Sequence, residues 1–345
     1  MFKLWGIFTK STVVKFTYRA RRRNVWMMGD KLKASQKTST THKKKGIPLK
    51  YRLFLLAVPF LILIFIFSYL PLYGWRYAFY DYRPPLKLSQ CEFVGLKWFS
   101  LLFRNKGWVT QILKVLKNTL AMSGLGILVS VLPVAFAIFL SEIKSKRSRN
   151  LFQTLTTIPN FISWVIVYSV AFSLFSTTGM ANSILQSSGL INKPIPFLDS
   201  PDYVWIKMCL WGVWKGLGWS SIMYLAAITS CDQELYEAAR ADGAGRFRLM
   251  WHITLPQLLP TYFVLLMLNI ANILNNGMEQ YFVFANAFNK DKIQVLDYYV
   301  YVISMGGGNT YSLAVAIGIL KSLVSVTLLF LVNKLSKAVR GETIV

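Results

Sequence analysis

Lys215 stands among Trp211, Trp214 and Trp219, and further along the chain Asn269, Asn272, Asn275 and Asn276 lead into Glu279 and Gln280. An ammonium donates hydrogen bonds, amides donate and accept, and indole rings stack on apolar faces. That is chemistry for holding a polyhydroxylated solute, not for breaking a bond. Asn269, Asn272 and Asn276 share a helix face at three- and four-residue spacing. Two readings stay open for each group. Lys215 and the tryptophans either face a passage, where the amine can also pair with an acidic sugar, or the amine meets an acid or carbonyl at an interface with a partner and the rings are packing. The amides, with Glu279, either line the passage or bond neighbouring helices. Lys321 has no assigned role.

Catalytic chemistry has no candidate. No nucleophile, base and acid stand together, and no Gly-x-x-x-x-Gly-Lys-Ser/Thr loop is present to cradle a phosphate. Lys321-Ser322 lacks the glycines, and Gly306-Gly307-Gly308 lacks a following lysine. Cys91, Cys209 and Cys231 are scattered, and His42 and His252 have no partners at ligand spacing, so neither a disulfide framework nor a metal site is expected.

The elements that must position these residues are apolar. The 345-residue chain is 54% hydrophobic and 15% charged, against about 25% charged in a soluble domain. Six segments reach membrane length: 53–74, 118–140, 152–175, 203–229, 255–275 and 310–332. Backbone groups in lipid must be satisfied internally, so the expected fold is an all-α integral membrane protein with six transmembrane helices. Pro59, Pro133 and Pro256 kink or begin helices. Lysine and arginine in residues 141–151, in the island around Arg240 to Arg248 and at the C-terminus place both termini and that island in the cytoplasm. The long loop 75–117, with eight basic residues, dissents. Trp75, Trp98, Trp108 and Trp205 fit an outer aromatic belt.

The net charge of +25 is concentrated: 15 of the 39 lysines and arginines lie in residues 1–52, beside one acid, Asp30. Residues 1–50 therefore read as a basic cytoplasmic extension, partly disordered, drawn to anionic membrane lipids and not to nucleic acid. Residues 1–18 are either a surface-lying amphipathic helix or precede a true start at Met27 or Met28. Residues 51–340 form the membrane domain.

Residues 230–256 interrupt that domain with a polar island. Asp232 can cap a short helix through Ala241, Gly243 can supply the turn, Arg246 to His252 form a second helix, and Pro256 fits the first turn of the fifth span. The island is either a plain amphipathic connector or a docking element. Glu237-Ala238-Ala239, then Asp242-Gly243, then Ile253, Leu255 and Pro256 resembles the EAA loop of permease subunits of binding-protein-dependent ABC importers. Tyr69-Leu70-Pro71-Leu72-Tyr73-Gly74, Ala78 to Tyr82, Phe93-Val94-Gly95-Leu96 and Trp211 to Ala226 resemble the polysaccharide and oligosaccharide branch of the maltose-type permeases. The resemblance spans about residues 50–340. It implies the type I importer permease fold in a bacterial cytoplasmic membrane, a second homologous permease, an extracellular solute-binding protein, an oligosaccharide cargo and two ATPase subunits. ATP and Mg²⁺ would sit on those subunits, with no cofactor in this chain. It also implies that the island docks on an ATPase, with Glu237, Asp242 and Gly243 central. Peptides, phosphate or another small solute are the alternative cargo, since the loop is common to all. A secondary transporter fits less well, because Glu142, Asp202, Glu279 and Asp297 lie at span ends or in loops. A membrane scaffold without transport is the remaining class.

Overall fold

The computed structural model describes residues 48–306 and 310–340. The basic extension up to residue 47 lies outside the described residues. The chain divides into two compact units, Met1–Tyr69 and Leu70–Val345. In the first, helix α1 (Leu49–Ile64) carries Pro59 and closes in a wide π turn over Phe65–Tyr69.

The second unit opens with a 3₁₀ segment, Leu70–Phe79, and a short antiparallel bridge between Tyr80 and Phe93; no strand occurs among the described residues. Helix α2 (Lys106–Val129) and α3 (Val131–Ser141) follow, parted at Ser130. Pro133 lies two residues into α3, where its missing N–H is harmless. Helices α4 (Lys146–Thr157) and α5 (Trp164–Phe175) come next, then α6 (Val204–Thr229). The island supplies α7 (Gln233–Ala241), after which α8 (Leu255–Ala271), α9 (Glu279–Phe284), α10 (Leu296–Met305) and α11 (Tyr311–Arg340) complete the order.

Among the described residues, five helical stretches are long and apolar enough to cross a membrane: Leu53–Phe79, Lys106–Ser141, Trp164–Ser187, Arg246–Ala271 and Tyr311–Lys337. Helix α6, the expected fourth span, is not among them. Its 26 residues would reach about 39 Å, but its lysines, glycines and serines dilute its apolarity. It is instead the hub of the unit, packed against α2, α3, α4 and α8. The expected third span, 152–175, is two helices. Pro159 cannot donate a backbone hydrogen bond, α4 stops at Thr157, and a 3₁₀ turn over Ile158–Phe161 leads to Ser163, whose hydroxyl accepts from the Ile166 N–H at 3.4 Å to start α5.

The fifth span also ends early. Helix α8 stops at Ala271 and the chain to residue 278 is irregular. The stretch between the fifth and sixth expected spans holds α9 and α10 and a large part of the core. Tyr281, Phe284, Ile293, Val295 and Tyr298 are buried with Met122, Val167, Val204 and Met208. Nothing in the local hydropathy sets this stretch apart as core, because its aromatic residues alternate with polar ones.

Candidate functional site

Helix α6 borders two places that matter, the polar island after its C-terminus and a cavity along its flank. In the island, the Asp232 carboxylate accepts from the Glu234 N–H at 2.9 Å, and Glu234 lies in the first turn, where the helix dipole favours an acid. The other end of α7 closes with two crossed bonds: Ala244 N–H to the Ala239 carbonyl at 2.9 Å and Gly243 N–H to the Arg240 carbonyl at 3.0 Å. This is a Schellman motif, which needs a left-handed residue one past the cap. Gly243 supplies it at φ +78°. An added Cβ there would meet no atom within 4 Å, so the backbone conformation, not crowding, requires the glycine.

Glu237, Ala238, Asp242 and Gly243 are exposed, and Ala239 is half-buried. Behind them the Tyr236 hydroxyl is 3.0 Å from Thr254 Oγ1, and Thr254 is buried. Burial pushes the Tyr236 phenol above its ordinary pKa, which keeps it a neutral hydrogen-bonding group. Ile253 and Leu255 are half-buried and Pro256 is exposed. The expected separate second helix is absent as such. Helical backbone runs from Arg246 through a π turn at Met250–Thr254 straight into α8. The wide turn lets the helix continue past Pro256, which has no N–H to give. The sequence reading passed over Phe247 and Trp251, which are 81% and 68% exposed on this island. Their signal is an aromatic set between arginines in a segment otherwise polar.

The cavity has a volume of about 580 Å³. Its walls include Ser123 and Gly126 of α2, Gly212, Gly216 and Trp219 of α6, and Asn269, Asn272, Asn275, Asn276 and Gln280. The amide row therefore meets the cavity, though only Asn269 belongs to α8. The other asparagines line it from the irregular chain after Ala271. That chain is tied on several sides. The Asn276 amide donates to Ser123 Oγ at 3.0 Å, the Ser123 hydroxyl donates to the Ile273 carbonyl at 2.6 Å, and the Gln280 amide donates to the Met208 carbonyl at 2.8 Å. Gly277, at φ +73°, donates its N–H to Asp297 Oδ2 at 3.0 Å, and the other oxygen of Asp297 pairs with Lys321. Lys321 thus holds the start of the connection. Irregular backbone at this depth is tolerated where protein or a cavity satisfies it.

Lys215 does not line this cavity. Its side chain is buried, and its amine donates not across an interface but to this chain's own carbonyls of Pro159, Asn160 and Ile162 at 3.1, 2.8 and 2.6 Å. One turn on, Gly218 lies so close to α4 that a Cβ would collide with the Thr156 carbonyl. The break between α4 and α5 frees carbonyls that lipid cannot satisfy, and the lysine closes them. Trp211 packs with Phe175 and Phe284, Trp214 stands edge-on to Trp211 at 5.8 Å, and neither lines the cavity. Glu279 is exposed and outside its wall. Trp219, held edge-on by Phe161 at 5.7 Å, is the member of the tryptophan group that reaches it.

Residues 122–341 match the family described as the binding-protein-dependent transport system inner membrane component. The chain belongs to that family. It is 39% identical over 287 residues to the protein LplB of Bacillus subtilis (strain 168), covering 83% of this chain and 88% of that one. It is 38% identical over 302 residues to the polygalacturonan/rhamnogalacturonan transport system permease protein YteP of the same organism, covering 87% and 92%. Its fold matches the crystal structure of a bacterial ABC transporter involved in the import of the acidic polysaccharide alginate. There the TM-score is 0.72 at 32% identity, covering 84% of this chain and 96% of that one. The alginate transporter in complex with an alginate pentasaccharide-bound periplasmic protein gives 0.73 at 31%, covering 85% and 96%. As an inner membrane component of such a system, this permease is a multi-pass, non-catalytic transport subunit of a bacterial ABC importer.

Proposed function

We propose that this permease carries oligosaccharides, received from an extracellular solute-binding protein, through the cavity beside α6. It works with a second homologous permease and two ATPase subunits, which hold the ATP and Mg²⁺. In this reading α6 is the fourth of six spans and both termini are cytoplasmic, so the capped helix α7 faces the ATPases. The observation that carries the proposal is that one helix joins both features. Helix α6 forms the cavity wall at Gly212, Gly216 and Trp219 and runs without a break to Thr229, one short turn before α7. From Gly216 to its end is about 20 Å of rigid helix.

A push on the exposed face of α7 at Glu237, Asp242 and Gly243 then moves the cavity wall. ATP binding closes the ATPase pair and opens the cavity outward, and hydrolysis resets it. Exposed Phe247 and Trp251 add apolar area to the same docking face. The amide wall suits sugar hydroxyls, and the polygalacturonan/rhamnogalacturonan and alginate named for one relative and for the structural neighbours support a glycan. The test is sugar uptake by the complete importer reconstituted in liposomes. Glu237→Arg and Gly243→Asp are expected to abolish uptake and ATPase association while the chain remains in the membrane. Normal uptake by both variants sinks the proposal.

A further inference from the structure

The basic loop 75–117, which dissents from the charge bias of the other loops, has no part in the function proposed above. It ends on α2 with Lys114 and Lys117. These two lysines and Lys292, of the short helix Lys290–Ile293, line one pocket of about 430 Å³ with Tyr203, Trp205 and a single acid, Asp291. The walls of the pocket are tied together. Buried Asn118 donates to the carbonyls of Asp291 and Gln294 at 2.8 and 3.1 Å. The Trp205 indole donates to the Lys292 carbonyl at 2.9 Å, and the Lys117 amine stands 5.9 Å from the centre of the Trp205 ring. Lys292 is 4.0 Å from Asp202, and both side chains are exposed, so this pair holds its amine only weakly.

The pocket stands where two apolar segments begin. Lys117 directly precedes residues 118–140, and Tyr203 and Trp205 open residues 203–229. That is the depth of lipid head groups, where aromatic rings and lysines gather at a membrane surface. From the pocket wall an apolar strip runs inward along α6. Ile206, Leu210 and Trp214 recur every four residues on one face and are 49%, 63% and 45% exposed. Leu120 of α2, one turn inward from Lys117, is exposed as well. The strip is about 12 Å long from Ile206 to Trp214. Converging amines at head-group depth thus lead into an open apolar track. An acidic sugar or a protein carboxylate meets the amines and leaves the track bare. A phospholipid meets both, since its phosphate accepts charge-assisted hydrogen bonds from lysine and its chain covers apolar surface.

We propose that the pocket and the strip together bind one phospholipid with an anionic head group, a site whose placement rests on the reading of α6 as a span. The phosphate lies among Lys114, Lys117 and Lys292, and an acyl chain lies along Ile206, Leu210 and Trp214. The test takes the complete permease–ATPase complex from nanodiscs of equal phosphatidylglycerol and phosphatidylcholine and reads the retained lipid by native mass spectrometry. Phosphatidylglycerol is expected to be enriched at least about tenfold. The double variant Lys114→Gln, Lys117→Gln should lose most of that enrichment, and Lys114→Arg, Lys117→Arg should keep it. Leu210→Asn should lower retention severalfold at an unchanged melting temperature. Equal retention of the two lipids, or enrichment that the glutamine variant does not move, overturns the inference. Displacement of the lipid by millimolar inorganic phosphate also overturns it, because the pocket would then be a site for soluble anions. Sugar uptake by the same complex is read separately. Uptake that persists without selective retention overturns the lipid site alone, and selective retention without uptake overturns the importer reading alone.

Discussion

Two connections interrupt the apolar helices of this permease, and they are built in opposite ways. The island from Ser230 to Thr254 is largely exposed and held by local rules: an aspartate cap, a left-handed glycine and a tyrosine–threonine bond. The connection from Asn272 to Met305 carries the buried Tyr281, Phe284, Ile293, Val295 and Tyr298 and is held from a distance. Asp297 reaches Gly277 and Lys321, Ser123 reaches Asn276, and Thr119 accepts from the Leu296 N–H at 2.9 Å. A connection that meets a partner in water, as proposed for the island, has to fold on its own residues. One that shapes a cavity can borrow its hydrogen bonds from the helices around it. The two therefore fail in different ways when perturbed.

The largest expected effect lies where the borrowed bonds are densest. Lys215→Met leaves the carbonyls of Pro159, Asn160 and Ile162 without their donor in a region lipid cannot serve. The expected loss is about 3 kcal/mol or more, seen as a lower melting temperature of the purified protein and poor accumulation in the membrane. Lys215→Arg should recover part of it. A Met variant that melts normally but no longer transports would mean that the lysine serves the passage and not the fold.

Next comes the Asp297–Lys321 pair, half-shielded and tied to Gly277. Removing either charge alone strands the other. Asp297→Asn or Lys321→Met should cost about 2 kcal/mol after allowance for partial exposure, and the double variant should cost less than either single. A thermal double-mutant cycle reads the coupling. Additive losses would show that the pair does not hold the connection.

The difference between the two connections also decides what the sequence could tell. The island was legible because its devices are local: Asp232 before Glu234, Gly243 after Ala241, and motif residues at fixed spacing. The cavity was half legible. The asparagine row pointed to it, but as a helix face, whereas most of the row lies on irregular chain. Lys215 was visible as costly in a span, yet its partners are more than fifty residues away, at a break whose only local mark is Pro159. The interior character of residues 279–305 had no local mark, since their apolar residues pack against α2, α5 and α6.

Within the island the effects should be smaller on stability and larger on coupling. Gly243→Ala forces a Cβ into the left-handed region at φ +78°, with free space around it. The cost is about 1 kcal/mol, felt by α7 and not by the membrane helices. The melting temperature should barely move, while ATP-driven uptake should fall under the proposed docking of α7 on an ATPase, because the end of α7 is displaced. Equal loss in both measurements would mean that the island is a structural connector.

Asp232→Ala should have the smallest effect, and it isolates the cap from the docking face. The Asp232 carboxylate satisfies one of the free N–H groups at the start of α7, and its loss is worth about 1 kcal/mol of local helix stability. Hydrogen exchange at Glu234 and the next few amides should quicken by about fivefold, with the helices of the membrane domain unchanged. Uptake should drop only modestly, because Glu237 and Asp242 remain exposed on a helix that still forms most of the time. Asp232→Asn keeps an acceptor at the same place and should restore both the slow exchange and the uptake. If Asn restores exchange but not uptake, the carboxylate acts on the partner as a charge, and the docking face extends one turn further back than α7.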